Sequence, residues 1–188
     1  LGGIEMNREE ALAIVKEYIK DDKLFKHVLA VEAIMRRLAE HFGEDVEKWG
    51  LTGLLHDIDY EMTMNNPEKH AKVAYEILKG KVDEDILHAI LSHNYEHTGV
   101  NPESRMDKCL IMADAASGFI IAVALVMPNK KLSEIKEKTL KKKFKDKTFA
   151  RGTGRDRMKL CEEVGIPLME FLKMAHEALL GISEELGL

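Results

Sequence analysis

Apolar residues recur at helical spacing along almost the whole chain, and the period-two alternation of a strand holds nowhere over a useful length. That leaves helix packed on helix, an all-α fold, as the available architecture. The spacing predicts a first helix over 8–20, with Leu12, Val15 and Ile19 on one stripe. Asp21-Asp22 interrupts the pattern, and the second aspartate is read as the cap of the next helix. That helix, 24–42, buries Phe25, Val28, Val31, Ile34, Met35 and Leu38 and stops at Gly43. A third spans 45–57 with Trp49, Leu54 and Leu55 inward, and an irregular stretch over 58–67 follows. Helices are expected over 67–79 and 83–94, a loop over 97–102, and a long apolar helix over 104–127 closed by Pro128. Beyond it come an amphipathic segment over 132–144, a basic glycine-containing loop over 146–154, and helices over 155–164 and 167–186.

At 188 residues the chain suits one domain around one core, and no linker or repeat divides it. A net charge of -5 argues against a nucleic-acid coat or a membrane-surface binder. The longest uninterrupted apolar run, 119–127, is about half of a bilayer span, so no membrane partner is expected. The start, Leu1 to Met6, has neither a basic leader nor an apolar stretch and reads as no signal peptide. Cys109 and Cys161 form no CxxC pair and read as reduced core thiols, which places the chain in a cytoplasm. Abundant Lys and Glu with no Gln lean towards a heat-adapted source.

Histidine and aspartate recur at predicted helix ends: His27, His56-Asp57, His70 and His93, with Asp114 inside the apolar helix. His41, His88 and His176 read as structural. Asp114 lies in LIMADAA, where an unpartnered carboxylate costs several kcal/mol, so it is paired, protonated or bound to a metal. Lys108 and Lys141 to Lys143 are its possible structural partners. The pair His56-Asp57 ends an apolar run where a buried helix meets a cleft. Consecutive helical side chains diverge by roughly 100°, so one can serve one metal while the two-oxygen carboxylate of Asp57 reaches a second. Nitrogen and oxygen donors without thiolate favour Fe or Mn, with Ni, Co, Zn or Mg also accommodated.

The order His27, His56-Asp57, Asp114 resembles the HD-domain metal phosphohydrolases. The added His70 and His93 resemble their two-metal branch, which includes dinucleotide tetraphosphate hydrolases and cyclic-dinucleotide phosphodiesterases. LLHDIDYE at 54–61 and KKKFKDKTFA at 141–150 are similar to a bacterial group of HD hydrolases of unassigned substrate. The resemblance covers roughly 24–175. It implies a single-domain HD-type fold over 1–188, with a metal-binding core at 24–127 and a C-terminal helical extension at 128–188. It further implies one metal on His27, His56, Asp57 and Asp114, and a second on Asp57, His70 and His93. Two departures stand out. No Gly-Tyr-Pro follows the histidines, which argues against a cyclic dinucleotide. Asp59-Tyr60 replaces the Gly-Lys of HDIGK, so the cation for the phosphate must come from elsewhere.

The expected activity is hydrolysis of a nucleotide phosphoester or phosphoanhydride by a metal-activated water, using one or two divalent ions. Asp57 is the central catalytic carboxylate, and spacing makes Asp59 or His97 candidates for proton transfer. Lys69, or the late basic loop with Arg151 and Arg155, would meet the substrate phosphate; a solvated basic face is the plainer account of that loop. The alternatives are a single-metal nucleoside monophosphate phosphatase, or an HD-fold nucleotide sensor without catalysis. A nucleic-acid partner is not expected, and apolar positions on the last helix would permit a homodimer.

Overall fold

Helix α1 (Arg8–Tyr18) opens on a reciprocal capping box in which the Asn7 side chain accepts from the Glu10 N–H and Glu10 bonds back to the Asn7 N–H. The computed structural model describes residues 6–188, so the leader reading of Leu1 to Glu5 lies outside the described residues. Helix α2 (Asp22–Phe42) is capped by Asp21, the first of the aspartate pair rather than the second. A cap needs extended backbone, and Asp21 has it because the Glu61 carboxylate holds the Lys20 and Asp21 N–H groups at 2.8 and 2.6 Å. Gly43, at φ 68°, ends α2 in the left-handed conformation. Phe25, expected inside, is only partly buried.

Helix α3 (Val46–Leu55), capped by Asp45, lies unusually close to α2. A Cβ on Gly53 would stand 2.8 Å from the Cα and N of Glu32, so only glycine permits this approach. The contact fixes where the end of α3 delivers His56 relative to His27 on α2.

The segment expected to be irregular holds a one-turn helix, α4 (Tyr60–Thr63). The expected helix over 67–79 is broken in two: a 3-10 turn at Pro67–Lys69, then α5 (Lys72–Leu78). Between them Ala71 sits at φ 76°, a costly conformation for a residue with a Cβ. The Asp59 carboxylate compensates by accepting the Ala71 and Ala74 N–H groups at 2.7 and 2.9 Å, capping α5 from a distant part of the chain.

Helix α6 (Glu84–Ser92) ends before His93, and α7 (Tyr95–Thr98) is one turn closed by Gly99. Helix α8 (Arg105–Leu125) begins at a Ser104/Asp107 capping box and runs through the middle of the molecule. By length and composition it is long and apolar enough to cross a bilayer, although its uninterrupted apolar run, 119–127, is too short to suggest it. Its packing accounts for that apolarity: α2, α6 and the C-terminal segments surround it, and Leu110, Phe119, Ile120 and Val123 are fully buried.

The C-terminal part is α9 (Glu137–Lys145), a 3-10 turn at Arg151–Thr153, α10 (Arg155–Met158), a 3-10 stretch at Lys159–Val164, α11 (Leu168–Leu180) and α12 (Ser183–Leu186). These pack on α2 and α8. The apolar face of α11 is spent there, with Phe171, Leu172 and Leu179 buried. Among the described residues, the exposed large apolar side chains are instead Tyr60, Met62 and Met64 on and beside α4, and Leu125 and Val126 at the end of α8.

Candidate metal centre

Three helix ends and two helix interiors converge on a cleft of about 600 Å³. Helix α2 supplies His27, the end of α3 supplies Asp57 with His56 fully buried beside it, the break before α5 supplies His70, the end of α6 supplies His93, and α8 supplies Asp114. Donor atoms of His27, His56, Asp57 and Asp114 all lie within 4.8 Å of one another, as do those of Asp57, His70 and His93.

Asp57 joins the two groups. Its Oδ2 faces His27 Nε2 at 3.2 Å and His56 Nε2 at 3.3 Å. Its Oδ1 faces His70 Nε2 at 3.1 Å and His93 Nε2 at 3.3 Å. Asp114 Oδ1 completes the first group, 2.8 Å from His27 Nε2 and 3.0 Å from His56 Nε2. Asp114 is not sealed in the core, as its sequence neighbours suggested; its side chain keeps 27% of its exposure and opens on the cleft. Neither Lys108 nor the lysines of α9 partner it, since Lys108 pairs with Glu163.

The outer nitrogens decide the protonation of the inner ones. His56 Nδ1 donates to the Gly53 carbonyl at 2.6 Å, His93 Nδ1 to the Ile90 carbonyl, and His70 Nδ1 to the Asp59 carboxylate at 2.7 Å. Ser117 gives its own proton to the Asp114 carbonyl and so accepts from His27 Nδ1 at 3.2 Å. A neutral imidazole has one N–H, so each Nε2 turns a lone pair inward. His70 Nε2 and His93 Nε2 then stand 3.0 Å apart, lone pair to lone pair, beside a carboxylate oxygen. Only a cation or protons between them make that arrangement favourable. A set of imidazole and carboxylate donors with every outer N–H anchored fits divalent metal ions.

In the metal-free protein the same geometry retains protons. Burial opposes charging His27 and His70, but hydrogen bonds to Asp114 and Asp57, and to Asp57 and Asp59, outweigh it and hold both imidazoles at about 9. Burial also disfavours the Asp57 and Asp114 carboxylates, yet the facing histidines keep both well below the usual carboxylate range.

The remaining sequence candidates are placed differently. Asp59 is fully buried and its oxygens are taken by His70 and two main-chain N–H groups, so it positions His70 rather than facing the cleft. His97 does not share a face with His93, because α6 ends first; it is exposed on α7 and bonds the Asn94 side chain. Lys69 and Arg151 are exposed and do not line the cleft. Arg155, expected at the phosphate, gives its guanidinium to the carbonyls of Lys143, Phe144, Asp146 and Phe149, at 2.7 to 3.1 Å. It ties the loop after α9 together. The cationic side chains on the cleft wall are Lys23 and Arg157. No local signal in the sequence separates Arg157 from Arg151, Arg155 and the other basic residues around the late loop.

A helical domain carrying this cluster is the mark of one class: the HD-domain family matches residues 24–118, and the chain belongs to it. Its members are metal-dependent phosphohydrolases. Among individual proteins, the chain is 28% identical over 160 residues to ribonuclease Y of Pseudothermotoga lettingae, a match covering 85% of this chain and 31% of that protein. It is 32% identical over 131 residues to the symmetrical bis(5'-nucleosyl)-tetraphosphatase of Bacillus subtilis, covering 58% of this chain and 68% of that one. Ribonuclease Y of Nitratidesulfovibrio vulgaris is 31% identical over 96 residues, half of this chain and 18% of the relative. The chain thus spans about a third or less of the length of these ribonuclease Y relatives.

Proposed function

We propose that this chain is a two-metal phosphohydrolase that cleaves a nucleotide phosphoanhydride or phosphoester. The observation that carries the reading is the division of the Asp57 carboxylate, one oxygen to His27 and His56 and the other to His70 and His93. His27, His56, Asp57 and Asp114 would hold one cation, and Asp57, His70 and His93 the other. Bound divalent ions supply Lewis acidity towards phosphoryl oxygens and a lowered pKa for coordinated water. The donor chemistry suits Fe or Mn first. Neither thiol is near enough to compete; Cys109 and Cys161 are buried elsewhere in the core, as a reducing cytoplasm would leave them.

The protein's own part is to aim and to hold. Asp59, Ser117 and the Gly53 and Ile90 carbonyls fix the imidazole planes. The Asn94 amide donates to the His70 carbonyl at 2.8 Å and to the Pro67 carbonyl at 3.2 Å, tying the two histidine segments together. Tyr60, at the cleft mouth and 44% exposed, offers a ring at base-stacking scale. A cleft of about 600 Å³ is in the range that takes a nucleotide.

The tetraphosphatase relative favours a dinucleoside polyphosphate, and the net charge of -5 favours a small substrate over an RNA chain. The test is metal content of anaerobically purified protein, wild type and His70→Ala, followed by a substrate panel. Two metals per chain falling to about one in the variant, with dinucleoside tetraphosphate split by wild type into two nucleotides, is the expected result. One metal in both would move the reading to a single-metal mononucleotide phosphatase. RNA cleavage with the tetraphosphate inert would replace the substrate, and no metal after reconstitution would leave a nucleotide sensor.

A further inference from the structure

Four groups on the cleft wall, Gly152, Thr153, Gly154 and Arg157, come from beyond residue 118, where the match to the family ends. Their segment is built to be rigid. Arg155 gathers carbonyls from the end of α9, Lys143 and Phe144, and from the loop after it, Asp146 and Phe149. Thr153 Oγ1 bonds the Ala150 carbonyl at 2.8 Å, and its methyl group lies where a Cβ on Gly118 of α8 would meet it at 3.5 Å. Gly154 stands at φ 79°, and a Cβ there would meet Arg157 Cδ at 3.2 Å. Glycine at this position therefore lets the chain turn and lets the Arg157 side chain lie across it.

The result is that Arg157 reaches back to the metal centre. Its Nη1 donates to the main-chain carbonyl of His93 at 3.0 Å, its Nη2 donates to Glu96 Oε1 at 2.8 Å, and its guanidinium lies 5.2 Å over the Tyr95 ring. The His93 ring itself faces Asp57, with Nε2 3.3 Å from Oδ1. Arg157 thus lies on the wall of the same cleft and bonds the main chain of a donor residue rather than a donor atom, which places its guanidinium for a phosphate next to one held there. One of its two bonds is to a carboxylate on a one-turn helix, and Glu96 is 59% exposed at that end.

We propose that Arg157 is the specificity residue for a second phosphate, adjacent to the one at the metal centre, and that this phosphate takes the place of the Glu96 carboxylate on Nη2. The bond to the His93 carbonyl stays and keeps the fork in position. The inference rests on the phosphohydrolase reading for the location of the first phosphate, and it assigns the substrate class as one with at least two linked phosphates.

The first test needs no turnover. Metal-loaded wild type and Arg157→Lys are titrated calorimetrically with methylenediphosphonate and with methylphosphonate, metal content being measured afterwards. Expected is a diphosphonate preference in wild type that falls about 10-fold or more in the variant, the size of a lost charged hydrogen bond. Glu96→Gln, which removes the competing charge, should strengthen diphosphonate binding severalfold. Equal preference in wild type and Arg157→Lys overturns the proposal, and so does weaker diphosphonate binding in Glu96→Gln. Kinetics then separate the two readings. A polyphosphate KM raised in Arg157→Lys far more than the KM for a simple monoester supports it. A protein that binds diphosphonate through Arg157 but hydrolyses neither the polyphosphates nor the esters of the panel would remove the hydrolase reading and leave this one standing.

Discussion

Asp59 makes three bonds from two oxygens, and their geometry ties a backbone break to a metal ligand. One oxygen keeps the proton of His70 on Nδ1; the other holds Ala71 and Ala74 in the turn that carries His70 into the cleft. Asp59→Asn replaces one acceptor by an N–H donor facing His70 Nδ1. The imidazole then favours the other tautomer, and its lone pair leaves the second metal group. The expected outcome is a 10- to 100-fold loss of affinity for the second cation, of the order seen when such partners are removed. Metal titration checks it, and unchanged stoichiometry and affinity would show that Asp59 serves only the turn. Asp114 could be singled out in the sequence because a carboxylate among LIMADAA is unfavourable without a partner. Asp59 and Arg157 could not, because neither is locally anomalous; each acquires its role from residues eleven to sixty-four positions away.

Helices α2 and α3 set the spacing of the first metal group through two glycines. At Gly53 an added methyl group meets main-chain atoms of Glu32 and Val31, at 2.8 to 3.0 Å, which cannot yield without moving a helix. At Gly50 it meets the Arg36 side chain, which is flexible. Gly53→Ala should therefore cost about 1–3 kcal/mol of stability, as overpacking does, and lower occupancy at His27 and His56. Gly50→Ala should cost less. Denaturant titration with metal analysis checks both, and equal effects would contradict this account of the contact. Helix starts at Asp45 and Ser104 and the stop at Gly43 were legible, since capping is local chemistry. The break inside 67–79 was not, because Lys72 to Leu78 is good helical sequence and the carboxylate that ends the preceding turn lies on another segment.

For the whole molecule, the metal centre gathers α2, α3, α6 and α8, so metal binding and stability are linked. Ions at a hundredfold excess over Kd stabilise by about 2.7 kcal/mol per site. Chelation should then lower Tm by roughly 5–10 °C for one site in a chain of this size. The effect depends on pH with a definite sign. His27 and His70 titrate at about 9 in the metal-free fold, against an unfolded value near 6.5. The proton-held stability of the metal-free form is full below about pH 6.5 and is lost by about pH 9. Metal-loaded protein carries ions in place of those protons, so the Tm gap between loaded and chelated protein should widen over that window. A gap that narrows as pH rises would show that the histidines are not the ligands.

By itself the sequence determined that the chain is helical, where most helices begin, and which histidines and aspartates are candidates for a metal, because periodicity, capping and the cost of a buried charge are local matters. Only the tertiary structure decided that Asp57 faces two histidine pairs, that Asp59 holds a ligand in place, and that Arg157 and not Arg155 lies on the cleft. Those facts depend on how segments far apart in the chain approach one another, and a helix's own sequence specifies its face but not its partner.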